Sequence, residues 1–149
     1  MTGEEFLYFT QALFVVNEKE RKEHIPKLLS TFSLEGIEKK SFEEYSRGNK
    51  QKFSIISAIS HKPKLLLIDE PIVGLDPTGA EIAKKLFVDF AKEGGAILLV
   101  THTLPVAEEI STRIGFLKDG KLSAVGTLSE LRQKAGLPDS ASLEDIYKK

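Results

Sequence analysis

Two adjacent carboxylates follow a run of four apolar residues near the middle of the chain. Leu65 to Ile68 read LLLI, and Asp69 and Glu70 come directly after them. An unbroken apolar run of this length predicts a strand that is buried on both faces of a parallel sheet. In open α/β proteins, ligands bind at the carboxyl ends of such strands. Two acids placed there can hold a cation and polarise a water molecule, and the alternative is a strand that runs into a solvated acidic turn.

A histidine is predicted to reach the same edge of the sheet. Residues 96–100 read AILLV, which predicts a second buried strand, and the segment before it has the four-residue apolar spacing of a helix. A strand–helix–strand unit of this length is parallel and right-handed, so His102 should emerge beside Asp69 and Glu70. Histidine supplies a ligand, a base or a donor whose charge changes near neutral pH. The alternative is a histidine that only begins the next helix.

A third candidate group lies at the start of a helix predicted to begin after Ser46. Ile55, Ile56 and Ile59 fall on one side of this helix, and Ser46 is placed to cap it. A hydroxyl group and free backbone N–H groups at a helix N-terminus favour an anion such as phosphate. The alternative is that Ser46 only caps a core helix.

Helix signals also dominate the residues before Ser46. Thr2 with Glu5 has capping-box spacing, and Asn17 precedes a second amphipathic segment in which Pro26 should kink or restart the helix. Residues 6–16 are unusually apolar for a terminal segment. They are interpreted as a partner-binding face or as a surface that packs against a further part of a longer protein.

After His102 the sequence predicts a short helix, a hairpin and two further helices. Asp119 and Gly120 lie between two alternating segments, which is a strong signal for a two-residue hairpin turn. Thr127 with Glu130 and Ser142 mark the starts of the last two helices.

Composition excludes several classes of protein. The 149 residues contain no cysteine, so disulfides, zinc–thiolate sites and cysteine nucleophiles are excluded. The formal net charge of −1 gives no electrostatic reason to expect nucleic acid as a partner. No apolar run has the length of a membrane span, and a cytoplasmic location is expected.

Four motifs in this order resemble the second half of an ATP-binding cassette (ABC) ATPase. Tyr45 to Lys52, YSRGNKQK, resembles the signature motif, usually LSGGQ followed by a basic–Gln–basic helix start. Leu65 to Pro71, LLLIDEP, looks like Walker B with its following glutamate. VGLD, ending at Asp76, resembles the D-loop, and VTHTL resembles the switch-histidine segment. The resemblance covers nearly the whole chain.

The resemblance implies a role for each candidate residue. Asp69 would hold Mg²⁺, Glu70 would orient or deprotonate the attacking water, and His102 would contact the γ-phosphate of ATP. The residues expected to face a nucleotide bound by a second cassette, or to communicate across that dimer, are Ser46, Arg47, Gly48, Asn49 and Asp76.

The fold class implied is α/β, a partial P-loop NTPase domain. Residues 1–62 would form the helical signature subdomain, and residues 63–149 the C-terminal part of the ATPase core, with a parallel sheet, a C-terminal β-hairpin and helices. The implied partners are a second nucleotide-binding domain and a transmembrane permease. The permease would hold the chain at the inner face of the cell membrane.

Two departures from the family pattern limit what the chain is expected to do. The phosphate-cradling loop GxxGxGK[ST] is absent from the 149 residues, so most contacts to the triphosphate are missing. The chain is therefore expected to be the back half of a cassette and not to hydrolyse ATP by itself. Arg47 and Asn49 replace the usual glycine and glutamine, a variation that resembles exporters more than importers.

Three alternatives remain at this point. A soluble, non-transport ABC ATPase acting on DNA or ribosomes would keep the motifs, but such proteins usually carry long insertions that are not visible here. A receiver-like domain phosphorylated on Asp69 would need an acidic pair after an N-terminal strand. A nucleotide-independent adapter would use the apolar N-terminal helix.

Overall fold

The computed structural model describes residues 1–14 and 16–149, so Val15, within the apolar N-terminal segment, lies outside the described residues. Two compact units are present, residues 1–100 and residues 101–149. The predicted division after residue 62 concerns subdomains of a longer ATPase and stays a prediction. None of the helices in the described part of the chain is both long and apolar enough to cross a lipid bilayer.

Three α-helices precede the first strand: α1 (Gly3–Leu13), α2 (Glu18–Thr31) and α3 (Arg47–Ser60). The predicted capping box of α1 is confirmed, because the Thr2 hydroxyl accepts the N–H of Glu5 and the Glu5 carboxylate accepts the N–H of Thr2. Of the two outcomes predicted for Pro26, a restart of the helix is wrong. Helix α2 runs through Pro26 without interruption, since buried residues on both sides of it, Ile25 and Leu29, hold the helix in place.

All three helices contribute to the core of the first unit. The largest of the buried apolar side chains in this group are Leu7, Ile25, Phe32, Phe53 and Ile56. Tyr45, which stands where the ABC signature usually has leucine, joins this core. Its ring stacks on Phe53 with centroids 4.8 Å apart, and its hydroxyl donates to the carbonyl oxygen of Ile37 at 2.7 Å. Burial raises the pKa of the Tyr45 hydroxyl above its ordinary value.

A strand–helix–strand unit follows: β1 (Leu65–Asp69), α4 (Pro77–Lys92) and β2 (Ala96–Val100). The two strands are parallel, as predicted, with Leu65 opposite Ala96 and Asp69 opposite Val100. Asp76 is the N-cap of α4, since one of its carboxylate oxygens accepts the N–H of Gly79.

The prediction that both strands are buried on both faces is wrong for this structure. Leu66 is only 5% exposed, but the four apolar side chains on the other face are more than half exposed: Leu65, Leu67, Leu98 and Val100. Successive side chains of a strand point to opposite faces, so burial divides the sheet into a covered face and an open face. The physical reason is that the described residues of the first unit, 1–14 and 16–100, supply side chains to cover only one of these faces.

The second unit contains α5 (Leu104–Ile110), β3 (Ile114–Lys118), β4 (Lys121–Gly126), α6 (Leu128–Ala135) and α7 (Leu143–Tyr147). The predicted hairpin is confirmed, with positive φ angles of 50° at Asp119 and 72° at Gly120, as a type I′ turn requires. Glu108 joins three helices of this unit. Its carboxylate accepts the N–H of Leu143 at 2.8 Å and contacts the guanidinium of Arg132 at 3.4 Å.

Candidate functional site

The two acids of the Walker B-like segment lie at the carboxyl end of β1, as predicted. Asp69 is the last residue of the strand and is exposed. Glu70 follows with φ +46°, in the left-handed region that residues other than glycine seldom occupy, and its N–H donates to the carbonyl oxygen of Val100 at 2.9 Å. Such backbone strain is found most often at functional sites. The strain at Glu70 therefore adds a structural reason to place chemistry here.

The predicted histidine follows the neighbouring strand. Val100 is the last residue of β2 and pairs with Asp69, so the two strands end at the same level of the sheet. His102 comes two residues after Val100, is exposed, and belongs to the second unit.

The start of α3 carries the predicted cap and an exposed surface. The Ser46 hydroxyl accepts the N–H of Asn49 at 3.2 Å, which confirms Ser46 as N-cap. Ser46 and Arg47 are exposed, and Gly48 and Asn49 are half-buried. With 14 residues, α3 is long enough to have a full dipole at its N-terminus. This first turn can therefore accept a negatively charged ligand from outside the chain.

Helix α3 is joined to the loop between β1 and α4 by two polar side chains. The Gln51 amide donates to the carbonyl oxygen of Pro71 at 3.1 Å. The Lys52 ammonium lies 2.8 Å from a carboxylate oxygen of Asp76. The hydrogen bond from Lys52 lowers the pKa of Asp76 below its ordinary value. The residues that resemble the signature motif and those that resemble the D-loop thus touch each other within one chain.

A glycine at the start of α4 makes room for this ion pair. A methyl group at Gly79 would lie 2.8 Å from Cε of Lys52 and 2.8 Å from a carboxylate oxygen of Asp76. Both distances are shorter than van der Waals contact, so any larger residue would displace Lys52 or Asp76. The aliphatic part of Lys52 therefore crosses α4 where Gly79 leaves space.

Sequence reasoning placed residues 46–49 and 76 in the site but assigned no role to Gln51, Lys52 or Gly79. The available signal was the basic–Gln–basic run at residues 50–52, which directly follows the residues placed in the site. Its partners lie 20 or more residues further along the chain, and the sequence alone does not identify them.

The donor groups at the end of β1 fit magnesium only together with a nucleotide. In the described ranges, 1–14 and 16–149, no group of three or more histidine, aspartate or glutamate residues could hold a metal. Mg²⁺ usually binds one or two carboxylates and completes its shell with water and phosphate oxygens. Asp69, with Glu70 beside it, offers that number of carboxylates.

The N-terminal residues are unlike those that a receiver-like domain would need. Before β1, the described residues form α1, α2, α3 and a short 3₁₀ turn, with an isolated bridge between Thr2 and Ser41. No strand followed by an acidic pair is present in this described part, so a phosphoacceptor role for Asp69 has no support here.

Taken together, these features define part of an α/β domain. A helical segment contacts the loop that follows a parallel strand, and that strand ends in two acids. The fold is that of a partial P-loop NTPase with a parallel sheet.

Sequence comparisons identify the family. Residues 2–73 match the family model described as ABC transporter. The ABC transporter ATP-binding protein YthP of Bacillus subtilis (strain 168) is 36% identical over 148 residues, which cover 97% of this chain and 61% of YthP. The ABC-type transporter ATP-binding protein EcsA of the same strain is 35% identical over 147 residues, which cover 99% of this chain and 59% of EcsA.

Solved structures agree with this result. An ATP-binding subunit of an ABC transporter matches with a TM-score of 0.94 and 34% identity, over 99% of this chain and 61% of that subunit. A dimeric ATP-binding cassette with bound ADP and Pi matches with a TM-score of 0.71 at 24% identity, which shows the fold alone. The chain belongs to the ABC transporter family, and it spans 59–61% of the length of YthP, EcsA and the solved subunit.

Proposed function

We propose that the chain is the C-terminal portion of an ABC transporter ATP-binding subunit whose complete form binds and hydrolyses MgATP to drive transport, in the direction of export. The observation that carries the proposal is the junction of α3 with the loop after β1. Gln51 and Lys52 hold signature-like and D-loop-like residues together, directly after the two acids of β1. This arrangement suits a surface that meets a nucleotide from outside the chain.

The acids at the end of β1 have separate roles in this proposal. Asp69 holds Mg²⁺ through water, and the bound ion neutralises charge on the phosphates. Glu70 orients the attacking water or accepts its proton. The hydrogen bond from the Glu70 N–H to Val100 fixes the backbone that carries the carboxylate, which is what a positioned base requires.

His102 contacts the γ-phosphate in the complete subunit. It is exposed, and it comes after the strand that pairs with β1. An imidazole donor in contact with the γ-phosphate stabilises the charge that develops there during hydrolysis.

The first turn of α3 faces the γ-phosphate of a nucleotide that a second cassette holds. The Ser46 hydroxyl, the N–H groups around Gly48, and the side chains of Arg47 and Asn49 supply the donors. Asp76 lies in the adjoining loop and communicates across the dimer. Exposure of Ser46, Arg47 and Asp76 supports this assignment, because residues that meet a second cassette must be accessible in a single one.

A transmembrane permease is the second partner, and it places the subunit at the cytoplasmic face of the membrane. The support is the apolar surface of α1, where Phe9 and Leu13 are more than half exposed, with Phe14 directly after the helix. Contiguous exposed apolar side chains commonly mark a surface that another polypeptide covers. Nucleic acid is not expected as a partner, given the net charge of −1.

The proposal is tested in a completed cassette. The chain is fused to the part of YthP that this chain does not cover, and ATP hydrolysis is measured with Mg²⁺. The chain alone is expected to show no hydrolysis above background, and the fusion is expected to hydrolyse ATP. Glu70→Gln should lower kcat of the fusion roughly 10²- to 10⁴-fold, because a positioned base is lost.

Glu93→Gln is the matched control, since Glu93 is an exposed glutamate at the end of α4. This variant should hydrolyse ATP at the rate of the unmodified fusion. A Glu70→Gln fusion that keeps the full rate would show that the chain is not an ATPase of the proposed type.

A further inference from the structure

The start of α3 and the middle of the adjoining loop meet through two glycines. A methyl group at Gly48 would lie 2.8 Å from the carbonyl oxygen of Gly74. A methyl group at Gly74 would lie 3.3–3.4 Å from Nε, Cδ and Cγ of Arg47. The aliphatic part of Arg47 therefore runs along Gly74, while the backbone of Gly74 approaches the backbone of Gly48. The loop is held from two directions at this point.

Arg47 makes this contact at a position where the ABC signature usually has glycine. A glycine there would have no side chain to lie against Gly74. The three methylene groups of an arginine can cover an apolar backbone surface while the guanidinium stays in water. Arg47 is exposed as a residue, in agreement with a packed stem and a solvated head.

Gly74 is suited to be the other half of the contact. Its φ angle is +87°, a conformation that residues with a Cβ seldom adopt. The turn around it is closed by two backbone hydrogen bonds near the long end of the usual range. The N–H of Val73 donates to the carbonyl oxygen of Glu70 at 3.3 Å, and the N–H of Leu75 donates to that of Ile72 at 3.2 Å. The middle of the loop therefore depends on side-chain packing more than its ends do, where Gln51 holds Pro71 and Lys52 holds Asp76.

We propose that Arg47 is a positioning residue that keeps the middle of this loop, residues 73–75, against the first turn of α3 through the packing of its stem on Gly74. The start of α3 and the loop then move as one body. The consequence for hydrolysis rests on the proposed function: donors on α3 and Asp76 would meet a second cassette at a fixed spacing. The contact itself requires no nucleotide.

The test is residue-resolved amide hydrogen exchange on the 149-residue chain without nucleotide. Arg47→Ala removes the stem but keeps a good helix former at the first position of α3. It is expected to raise exchange at residues 73–75 by roughly three- to tenfold, as local opening becomes easier. Arg47→Met keeps an unbranched stem without the charge and should stay within about twofold of the unmodified chain.

Lys50→Ala is the matched control, because it removes a positive charge one turn along the same helix. Its exchange at residues 73–75 should be unchanged. Three results would overturn the proposal: no change in Arg47→Ala, equal changes in Arg47→Ala and Arg47→Met, or an increase in Arg47→Ala that is as large in α2 as in the loop. The first would show no contact, the second a role of charge, and the third a global loss of stability.

The exchange result and the ATPase assignment can fail separately. Exchange is measured without nucleotide, so an inactive fusion would leave the Arg47 contact standing. In an active fusion, both variants lose the guanidinium that is proposed to face the γ-phosphate, so both should lower kcat. Arg47→Ala should lower kcat several-fold further than Arg47→Met, because it also removes the stem. Equal losses of kcat in the two variants would overturn the assignment of the further loss to the stem.

Discussion

The junction between α3 and the loop after β1 lies in the same unit as the open face of the β1–β2 sheet. The chain supplies contacts at the junction, but it leaves the open face exposed. At the junction, Gln51 and Lys52 each find a partner within 3.1 Å on the loop. On the open face, Leu67 is 71% exposed although it lies next to the buried Leu66. The signature-like and D-loop-like residues are therefore arranged by contacts inside this chain, whereas the sheet needs side chains from elsewhere to be covered.

The open face continues into an apolar groove. The groove has a volume of about 500 Å³, and it is lined by side chains of α1, α3 and β1. His61 is half-buried there, with its ring stacked on that of Phe14 and the two ring centroids 3.8 Å apart. The open region of the unit thus extends from β2 to the end of α1.

The largest expected effect is a difference in the free energy of unfolding between substitutions on the two faces of β1. Leu66→Ala should lower the free energy of unfolding by about 2–5 kcal/mol, because a buried side chain is lost and a cavity remains. Leu67→Ala removes the same atoms from the open face and should change the free energy of unfolding by no more than about 0.5 kcal/mol. Urea unfolding followed by circular dichroism measures both values. Equal losses for the two variants would mean that the open face is covered in solution.

Features that depend on neighbouring residues could be predicted from the sequence. The capping boxes at Thr2 and Thr127 and the hairpin at Asp119 depend on residues no more than three positions apart, and all are confirmed. The parallel pairing of β1 and β2 was also predictable, because a crossover helix of this length allows only one arrangement.

Features that depend on distant partners could not be predicted. The apolar run Leu65–Ile68 shows that a layer can cover each face of β1, but it does not show whether this chain supplies both layers. The Lys52–Asp76 pair joins two elements, and its geometry depends on the space at Gly79. The motif resemblance indicated which residues matter but not which of them touch.

A smaller effect is expected from the cap at the junction. Ser46→Ala should lower the free energy of unfolding by about 0.5–2 kcal/mol, because the N–H of Asn49 loses its acceptor. Ser46→Asp keeps an acceptor and places a negative charge at the positive end of the helix dipole, so its stability should stay near that of the unmodified chain. Urea unfolding of both variants tests this. If Ser46→Asp lowers the free energy of unfolding as much as Ser46→Ala does, Ser46 does not stabilise the chain by capping α3.

The smallest effect concerns the pH dependence of the Lys52–Asp76 pair. The hydrogen bond from Lys52 lowers the pKa of Asp76 in the folded chain, so folding favours the ionised carboxyl. Its contribution to stability is complete above the unfolded pKa of about 3.9, and it is lost as the pH falls through the lower folded value. Carboxyl NMR titration should therefore give Asp76 a midpoint below that of an ordinary aspartate. Lys52→Met should raise this midpoint, and Lys50→Met should leave it unchanged.

Asp76→Asn keeps the cap of α4 but not the charge, so its stability difference from the unmodified chain should shrink as the pH is lowered. A midpoint that Lys52→Met does not move would mean that the ion pair is absent in solution, and the junction would then be held by Gln51 and the packing of Arg47.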